Sequence, residues 1–595
     1  MPTGRADFAT AWAAAGPDRA RWRLGKMRAL SFAPELTMQL GIDLGTTHSL
    51  AALYRDGGVE LVRNSLGHVL TPSAVSVDEA GHTLVGLAAR ERLATAPQDT
   101  AVAFKRWMGT EQRLRLRGRE FRPEELSALV LRALKQDAEA HAGRSFESAV
   151  ITVPAYFNQA QRRATQTAAE LAGLKATRLL NEPTAAGLAY GLQERPEHST
   201  FLVFDLGGGT FDVSVLEYFE GVVQVRASAG DTRLGGEDFG RALQQLLLSK
   251  APPPQRAAVE AMLRSGALWQ AAEQAKRELT DQPRCEVRLV CAGAAICIEV
   301  SRDEFEQASA ELLARLRRPI ERALGDARLR PDQLDEVVLV GGASRMPLVR
   351  QAVARLFQRL PLRSINPDEI IARGAAVQAG LLARDAALEE IVLTDVMPFS
   401  LGVIIDGDRF SPIIERNTPV PVSRVGRYAT VQNRQAVVNF DICQGESPIG
   451  SENLKLGHVS LDVPPLPAGQ AQIDVRFSYD ASGLLVVDAH ELEGGRQRQV
   501  VLQQQAGAID PPEQARILKA LDALKVHPRE QQENRYLIER AKRLYEDHLG
   551  AERAQLQEWL YQFQHILDRQ DPEEIAAARL RFAELLDGVD RGFRL

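Results

Sequence analysis

Three glycine-rich turns follow apolar strands in this 595-residue chain, and each could hold a phosphate group. They are Gly45-Thr46-Thr47, Gly207-Gly208-Gly209-Thr210 and Gly341-Gly342-Ala343-Ser344. Glycine lets backbone N–H groups come close to phosphate oxygens. Asp43 and Asp205 stand just before the first two turns and suit water-mediated Mg²⁺ binding, because Mg²⁺ keeps several of its waters. The pattern predicts a site for nucleotide phosphates.

Two other phosphate-binding designs are excluded by their motifs. The chain has no G-x-x-x-x-G-K-[ST] loop, so a P-loop fold is not expected, and it lacks the kinase H-R-D and D-F-G set.

An aspartate at a strand end is often only a turn former. The two parallel phrases, IDLGTT at 42–47 and FDLGGGT at 204–210, favour function and predict two similar lobes facing each other.

The periodicity of the chain divides it into five segments. Residues 1–37 show no clean period and are read as an N-terminal extension or a misassigned start, dispensable for folding and activity. Residues 38–388 alternate strands and helices, as in an α/β domain. Residues 389–395, EEIVLTD, form a linker. Residues 396–507 contain short strands with turn residues, typical of a β-sandwich, and residues 508–595 are helical by pattern.

Composition narrows the class of protein. The net charge is −6 and no basic stripe is present, so no nucleic-acid partner is expected. No apolar run is long enough for a membrane span and no signal peptide is recognised, so the predicted location is cytoplasmic. Cys285, Cys291 and Cys297 recur every six residues, a spacing that predicts buried free thiols on one strand face rather than a zinc site.

A set of longer phrases resembles the DnaK family of seventy-kilodalton heat-shock chaperones, nearest its short HscC-type branch. The phrases are GIDLGTTHS, VITVPAYFNQAQRRAT, NEPTAAGLAYG, VFDLGGGTFDVSV, AGDTRLGGEDF, VLVGGASRMPLV and INPDEIIARGAAVQAG. The resemblance implies an actin-like (ribonuclease-H-like, duplicated) ATPase domain, an all-β sandwich and a short α-helical lid. It implies an ATP-dependent molecular chaperone, active in protein folding and stress response, in which ATP hydrolysis gates capture and release of hydrophobic peptide segments.

The resemblance also implies roles for individual residues, with ATP or ADP and Mg²⁺ as cofactors and K⁺ as a second candidate cation. The implied catalytic residues are Asp43, Lys105, Glu182, Asp205 and Thr210, of which the three acids would hold Mg²⁺ through water. The implied nucleotide-binding residues are Gly45, Thr46, Thr47, Gly207, Gly208, Gly209, Gly236, Glu273, Lys276, Arg277, Thr280, Gly341, Gly342, Arg345 and Asp368. Without the resemblance, the EQAKRELT charges would be read as an exposed helix face.

Coupling and peptide binding are assigned in the same way. Pro154 and Arg162 resemble the switch between lobes, Arg178 the docking site for linker and J-domain co-chaperone, and Asp395 the signalling aspartate of the linker. The peptide pocket aligns with Val403, Tyr428, Val431, Val438 and Phe440, although periodicity alone favours sandwich core for these residues. Phe440 and the segment IIDGD depart from the family pattern and predict a narrower pocket with fewer clients.

Two other functions remain open at this stage. A sugar or metabolite kinase of the same ATPase superfamily would share the phosphate phrases but not explain residues 389–595. A degenerate relative acting as a nucleotide exchange factor would be expected to lose catalytic residues, and these are present. For a chaperone, the expected partners are client peptides, a J-domain protein and a nucleotide exchange factor, and the shortened lid predicts faster peptide dissociation.

Overall fold

The computed structural model describes residues 39–194, 198–219, 221–291, 294–362, 366–383, 388, 392–480, 483–502, 532–548 and 550–592. These residues belong to one compact unit, Met38–Leu595. The predicted extension 1–37, the linker residues 389–391 and the start of the predicted helical region, 508–531, lie outside the described residues.

The first mixed sheet is built from apolar strands whose buried central members are β1 and β10. Its part of the chain contains strands β1 Leu40–Asp43, β2 His48–Arg55, β3 Gly58–Leu61, β4 Thr71–Pro72, β5 Ala74–Val77, β6 Thr83–Val85, β7 Thr100–Val102, β8 Leu114–Leu116, β9 Arg119–Phe121, β10 Ser148–Val153 and β11 Lys175–Asn181. The helices are α1 Leu87–Thr95, α2 Pro123–Ala142, α3 Gln159–Leu171 and α4 Glu182–Glu194. The strand order is β11-β10-β1-β2-β3, with β4 beside β2.

The second mixed sheet repeats this arrangement. Its strands and hairpin are β12 His198–Leu206, β13 Phe211–Phe219, β14 Val222–Asp231, β15 Arg284–Cys291, β16 Ala294–Ser301 and β17 Glu336–Val340. The helices are α5 Gly236–Lys250, α6 Arg256–Ser265, α7 Ala267–Asp281, α8 Arg302–Ala308, α9 Ala310–Asp326, α10 Pro347–Phe357 and α11 Ile370–Leu382. In both sheets a strand pairs in parallel with one neighbour and in antiparallel with the strand after its glycine turn: β10-β1-β2 and β17-β12-β13.

Most of the remaining strands form two four-stranded sheets, and the other two extend the edge of the second mixed sheet. They are β18 Val392–Val396, β19 Leu401–Ile405, β20 Arg409–Ile414, β21 Pro419–Val420, β22 Val422–Ala429, β23 Val437–Gln444, β24 Leu454–Asp462, β25 Gln472–Tyr479, β26 Leu485–Glu491 and β27 Gln497–Leu502. The sheet orders are β20-β19-β23-β24 and β22-β25-β26-β27. Inward-facing residues of both sheets share one hydrophobic core, which makes the pair a sandwich.

Three helices follow the sandwich among the described residues: α12 Gln532–Asp547, α13 Gly550–Arg569 and α14 Pro572–Gly592. Their apolar stripes meet in a separate small core, in which Phe563 and Phe582 stack with ring centroids 4.6 Å apart. A helix that presents one apolar stripe must bury it against a partner, and three such helices cover one another. None of the described helices is long and apolar enough to cross a membrane.

The prediction for the cysteines is wrong at one position. Cys285 on β15 is buried, as expected, but Cys297 on β16 is exposed. A period of six keeps side chains on one face only within a single strand. Here β15 and β16 are two antiparallel strands, with Arg288 opposite Cys297. The reversal of the chain between them breaks the alternation, so Cys297 faces the opposite way.

Candidate functional site

The first two glycine turns meet face to face. The first follows β1, where the Gly45 N–H donates to Ser49 Oγ at 3.1 Å. The second follows β12, where the Gly207 N–H donates to the Thr210 carbonyl at 3.1 Å. A Cβ built on Gly208 would lie 1.8 Å from Thr47 Oγ1, so only glycine permits this approach. The two phrases that the sequence repeats therefore converge on one place.

The third turn joins them after β17. Gly341 has a φ of 80°, in the left-handed region that favours glycine, and a Cβ there would lie 2.4 Å from the Leu206 carbonyl oxygen. Its N–H donates to the Pro367 carbonyl at 3.0 Å. Arg345, at the end of the turn, donates from Nε to Asp368 Oδ2 at 3.0 Å. The chain before α11 is thereby held against the turn.

The three turns surround a central cavity of about 520 Å³. Its wall contains every predicted catalytic and nucleotide-binding residue except Gly209. Gly209 is packed behind the wall, where a Cβ would come within 2.8 Å of Arg106 and Thr46 side-chain atoms. The structure thus brings the predicted nucleotide residues together, while the role of each remains a prediction.

Acidic side chains dominate the floor of the central cavity. Burial, reinforced by the Glu182 carboxylate, raises the pKa of Asp43 to about 7. The same two causes raise the pKa of Asp205 well above its usual range. Lys105 is buried and donates from Nζ to Glu182 Oε1 at 2.7 Å, which places one ammonium among these carboxylates. The floor therefore carries an excess of potential negative charge.

This donor set fits a hydrated divalent cation. Asp205 Oδ2 is buried and has no hydrogen-bond partner among the described residues. Across the same residues, no group of three His, Cys, Asp or Glu side chains is placed to ligate a metal ion directly. Magnesium ions commonly keep their waters and use few carboxylates. Carboxylates that bond to the waters of the ion agree with both observations.

One face of α7 forms the opposite wall of the central cavity. Glu273, Lys276, Arg277 and Thr280 recur at helical spacing and all line the cavity. Lys276 donates to the carboxylate of Glu273 and, at 2.9 Å, to the Gly236 carbonyl at the start of α5. Glu273 and Lys276, two of these four residues, which we call the α7 clamp, are therefore already held by contacts of their own.

Sequence reasoning missed several residues in and near the cavity. The wall also contains His48, Leu50, Leu70, Glu237, Asp281, Ala343, Met346, Pro367 and Ile371. Asp212 was missed as well: it is buried, Glu182 is the second cause after burial that raises its pKa to about 7, and it accepts from the Tyr156 N–H at 3.1 Å. Its signal was present, because Asp212 belongs to the phrase VFDLGGGTFDVSV. In the structure it lies directly opposite Asp205 across β12 and β13, on the same face of the sheet.

The predicted coupling residues lie beside this floor. Arg162 on α3 is buried and donates to Asn181 Oδ1 at 2.6 Å and to the Ala155 carbonyl at 3.2 Å, next to Pro154. Asn181 in turn donates to Asp395 Oδ2 at 2.9 Å, and Thr184 donates to the same oxygen at 3.2 Å. Asp395 therefore contacts Asn181, which directly precedes Glu182, and Thr184, two residues after it.

Arg178 on β11 is the fourth coupling residue. It lies within reach of the charges of Asp395 and Asp480, while burial lowers its pKa. The segment that carries Asp395 is strand β18, which adds to the second mixed sheet in parallel with β14, from Val222↔Val392 to Gln224↔Thr394. The part of the predicted linker that the structure describes is thus a docked strand, and Thr394 takes part in the pairing.

Polar contacts join the sandwich to one helix from each of the two α/β parts of the chain. Arg416 donates from Nε and Nη2 to the two oxygens of Asp326 at 3.0 and 2.9 Å, and from Nη1 to Glu446 at 2.8 Å. Asn417 also donates to Asp326, at 2.9 Å. On the other side, the Gln159 N–H donates to Gln444 Oε1 at 3.0 Å. These contacts tie the sandwich to α9 and α3.

The five predicted peptide residues do not share one environment. Val403, Val438 and Phe440 are buried in the sandwich core, whereas Val431 is 58% exposed. Tyr428 is partly buried; its ring centroid lies 5.3 Å from that of Phe440 and its hydroxyl is 3.0 Å from Ser411 Oγ. Their role in peptide binding stays a prediction.

Comparison with known proteins gives concordant results. A family model described as Hsp70 protein matches residues 39–584. Chaperone protein DnaK of Thermotoga petrophila is 42% identical over 478 residues, which covers 78% of this chain and 80% of the relative. Chaperone protein DnaK of Thermotoga maritima and of Thermotoga neapolitana match with the same identity and coverage.

Proposed function

Because the chain belongs to the Hsp70 family, it is an ATP-dependent chaperone that binds unfolded client peptides, and we propose that the central cavity is its ATPase centre. The observation that carries this proposal is the convergence of three glycine turns, a buried lysine and several carboxylates on one cavity of about 520 Å³. No single phrase would support it as strongly.

The proposed chemistry assigns each wall a task. The glycine turns direct backbone N–H groups at phosphate oxygens, and the Thr46 and Thr210 hydroxyls bond to them. Lys105 offsets charge that develops on the transferred phosphoryl group, and Glu182 keeps its ammonium in place. Asp43, Glu182 and Asp205 orient the attacking water and the waters of the cation. Mg²⁺, when bound, supplies neutralisation of the phosphate charge, and K⁺ is a second candidate cation.

The family implies an actin-like ATPase domain, a β-sandwich and a helical lid. We assign them to residues 38–388, 396–507 and 508–595, with the linker at 389–395. Support for these boundaries comes from the separate cores of the sandwich and the helices. A shared β14–β18 strand pairing and the Asp395 contacts support a route by which the cavity communicates with the sandwich.

Further partners and the branch are also part of the proposal. Arg178, beside the linker strand, is proposed to serve a J-domain co-chaperone as well as the linker, and a nucleotide exchange factor completes the cycle. The HscC-type branch is proposed from the sequence resemblance. A cytoplasmic location is proposed from the similarity to the DnaK relatives.

A coupled-enzyme ATPase assay tests the proposed function. We expect slow Mg²⁺-dependent turnover that an extended hydrophobic peptide stimulates. ADP formation that responds to a sugar and not to peptide would indicate phosphoryl transfer to the sugar, as in a metabolite kinase. The absence of hydrolysis, together with retained nucleotide binding, would identify an exchange-factor relative.

A further inference from the structure

His48 lies in the wall of the central cavity without an assigned role. It is the first residue of β2 and directly follows the phosphate turn Gly45-Thr46-Thr47. Its neighbours along the wall include Arg277 of the α7 clamp, whose charge reaches the imidazole. His48 therefore stands between the part of the cavity suited to phosphates and the part suited to the nucleoside.

A contact with Arg90 determines which ring nitrogen carries the proton. Arg90 Nη1 lies 3.2 Å from His48 Nε2. An arginine side chain remains protonated and can only donate, so Nε2 must be the acceptor and carries no hydrogen. Burial, followed by the charges of Arg90 and Arg277, lowers the pKa of His48 to about 4. The ring is therefore neutral at pH 7, and its single N–H is on Nδ1.

This arrangement leaves one donor on a rigid ring at the cavity wall. Helix α1, which carries Arg90, packs against α7, and the charges of Glu237 and Glu273 also act on Arg90. The Nε2 side of the imidazole is thus held in place by Arg90. We propose that His48 is a specificity-determining residue of the nucleotide site, whose Nδ1–H donates to a ribose hydroxyl of the bound nucleotide. The inference rests on the proposed nucleotide role of the cavity.

Two isosteric substitutions test the roles of the two ring nitrogens of His48 separately. An asparagine amide can place its N–H near the position of Nδ1, whereas a glutamine amide reaches the position of Nε2. His48→Asn should therefore keep a donor towards the ribose, and His48→Gln should keep only the partner of Arg90. The wild-type protein and both variants, at full length, are titrated calorimetrically with Mg-ADP, 2′-deoxy-ADP and 3′-deoxy-ADP. The affinities show how much each ribose hydroxyl contributes to binding when the donor is present and when it is absent.

The wild-type protein should bind one deoxy analogue about 3- to 10-fold more weakly than ADP, the range for one hydrogen bond. His48→Gln should weaken ADP binding by a similar factor, and it should bind that analogue no more weakly than it binds ADP. His48→Asn should discriminate as the wild type does. Equal discrimination by wild type and His48→Gln would overturn the inference while leaving the proposed function intact. Failure of all three proteins to bind ADP would instead overturn the proposed function and, with it, the inference.

A second measurement is independent of the variants. In ¹⁵N-histidine-labelled wild-type protein, the His48 resonances should show a protonated Nδ1 and an unprotonated Nε2, and the Nδ1 signal should shift when ADP binds. The opposite tautomer, or an Nδ1 signal that ADP leaves unchanged, would contradict the proposal even if His48→Gln failed to fold. Thermal melting of both variants within about 2 °C of wild type establishes that they fold.

Discussion

The residues that the family resemblance assigns are arranged differently in the central cavity and in the sandwich. In the cavity, residues from nine separate stretches of chain, from Asp43 to Ile371, converge on one site. In the sandwich, the aligned residues divide between a buried core and the loop between β22 and β23, as the buried Val403 and the exposed Val431 illustrate. The position of a residue in or beside a glycine turn is fixed by the backbone of that turn. On a strand, the sequence period does not distinguish a core residue from a pocket residue, because both recur at every second position.

The cavity should give the largest effect on substitution. Lys105→Ala removes the buried ammonium that contacts Glu182 and should lower ATP turnover by about 10²–10³, the usual loss for one preorganised charge donor. ATP should still bind, because the glycine turns remain. Lys135→Ala is the control, since Lys135 lies at the surface, where it donates to the Gly173 carbonyl and forms a 3.9 Å ion pair with Glu139. Single-turnover assays that place Lys105→Ala within threefold of wild type would remove Lys105 from the catalytic set.

The junction between the two regions should show the next effect. Asp395 accepts from Asn181 and Thr184, which flank Glu182, so its carboxylate links the linker strand to the cavity floor. Asp395→Ala should abolish the faster peptide release with ATP than with ADP, while basal ATP hydrolysis and peptide affinity in ADP persist. Fluorescence anisotropy of a labelled peptide measures both release rates. Release that ATP still accelerates in the variant would exclude this link.

A smaller effect is expected from the polar contact between the sandwich and α9. Asp326→Asn weakens three hydrogen bonds from Arg416 and Asn417, at a site that is partly exposed, so the ATP-induced acceleration of release should fall by about threefold. Asp474→Asn is the matched control, because it removes the Arg427 ion pair within the sandwich. An identical change in both variants would show that the contact with α9 has no special part in coupling.

The smallest expected effect lies at the far side of the sandwich. Gln570, at the turn between α13 and α14, donates from Nε2 to the Val425 carbonyl at 3.1 Å, on the strand that carries Tyr428. Gln570→Ala should speed peptide dissociation about two- to threefold, the low end of the range for one neutral hydrogen bond, because this bond is only partly buried. Gln562→Ala, which removes only a surface contact with Glu558, should leave the rate unchanged. Equal rates for both variants would mean that this turn does not hold the helices on the sandwich.

The sequence was most informative where local chemistry and backbone geometry coincide. The repeated phrases at 42–47 and 204–210 predicted two similar lobes that face each other, and Gly208 of one phrase does approach Thr47 of the other. It was least informative where a side chain acts through a distant partner. Nothing in the sequence pairs His48 with Arg90 or Asp395 with Asn181, because the residues of each pair are separated along the chain and meet only through packing. The cysteine period failed for a related reason: it ran across a chain reversal.

The sequence alone determined the class of chemistry, because glycine turns preceded by carboxylates are local features that each segment carries by itself. It also determined the apolar strands and the amphipathic helices, whose periods follow from local geometry. Only the tertiary structure decided which segments meet. The shifted pKa values of Asp43 and Asp212 and the tautomer of His48 depend on burial and on charges from distant segments. These properties arise where segments that are distant along the chain pack together, and no single segment contains them.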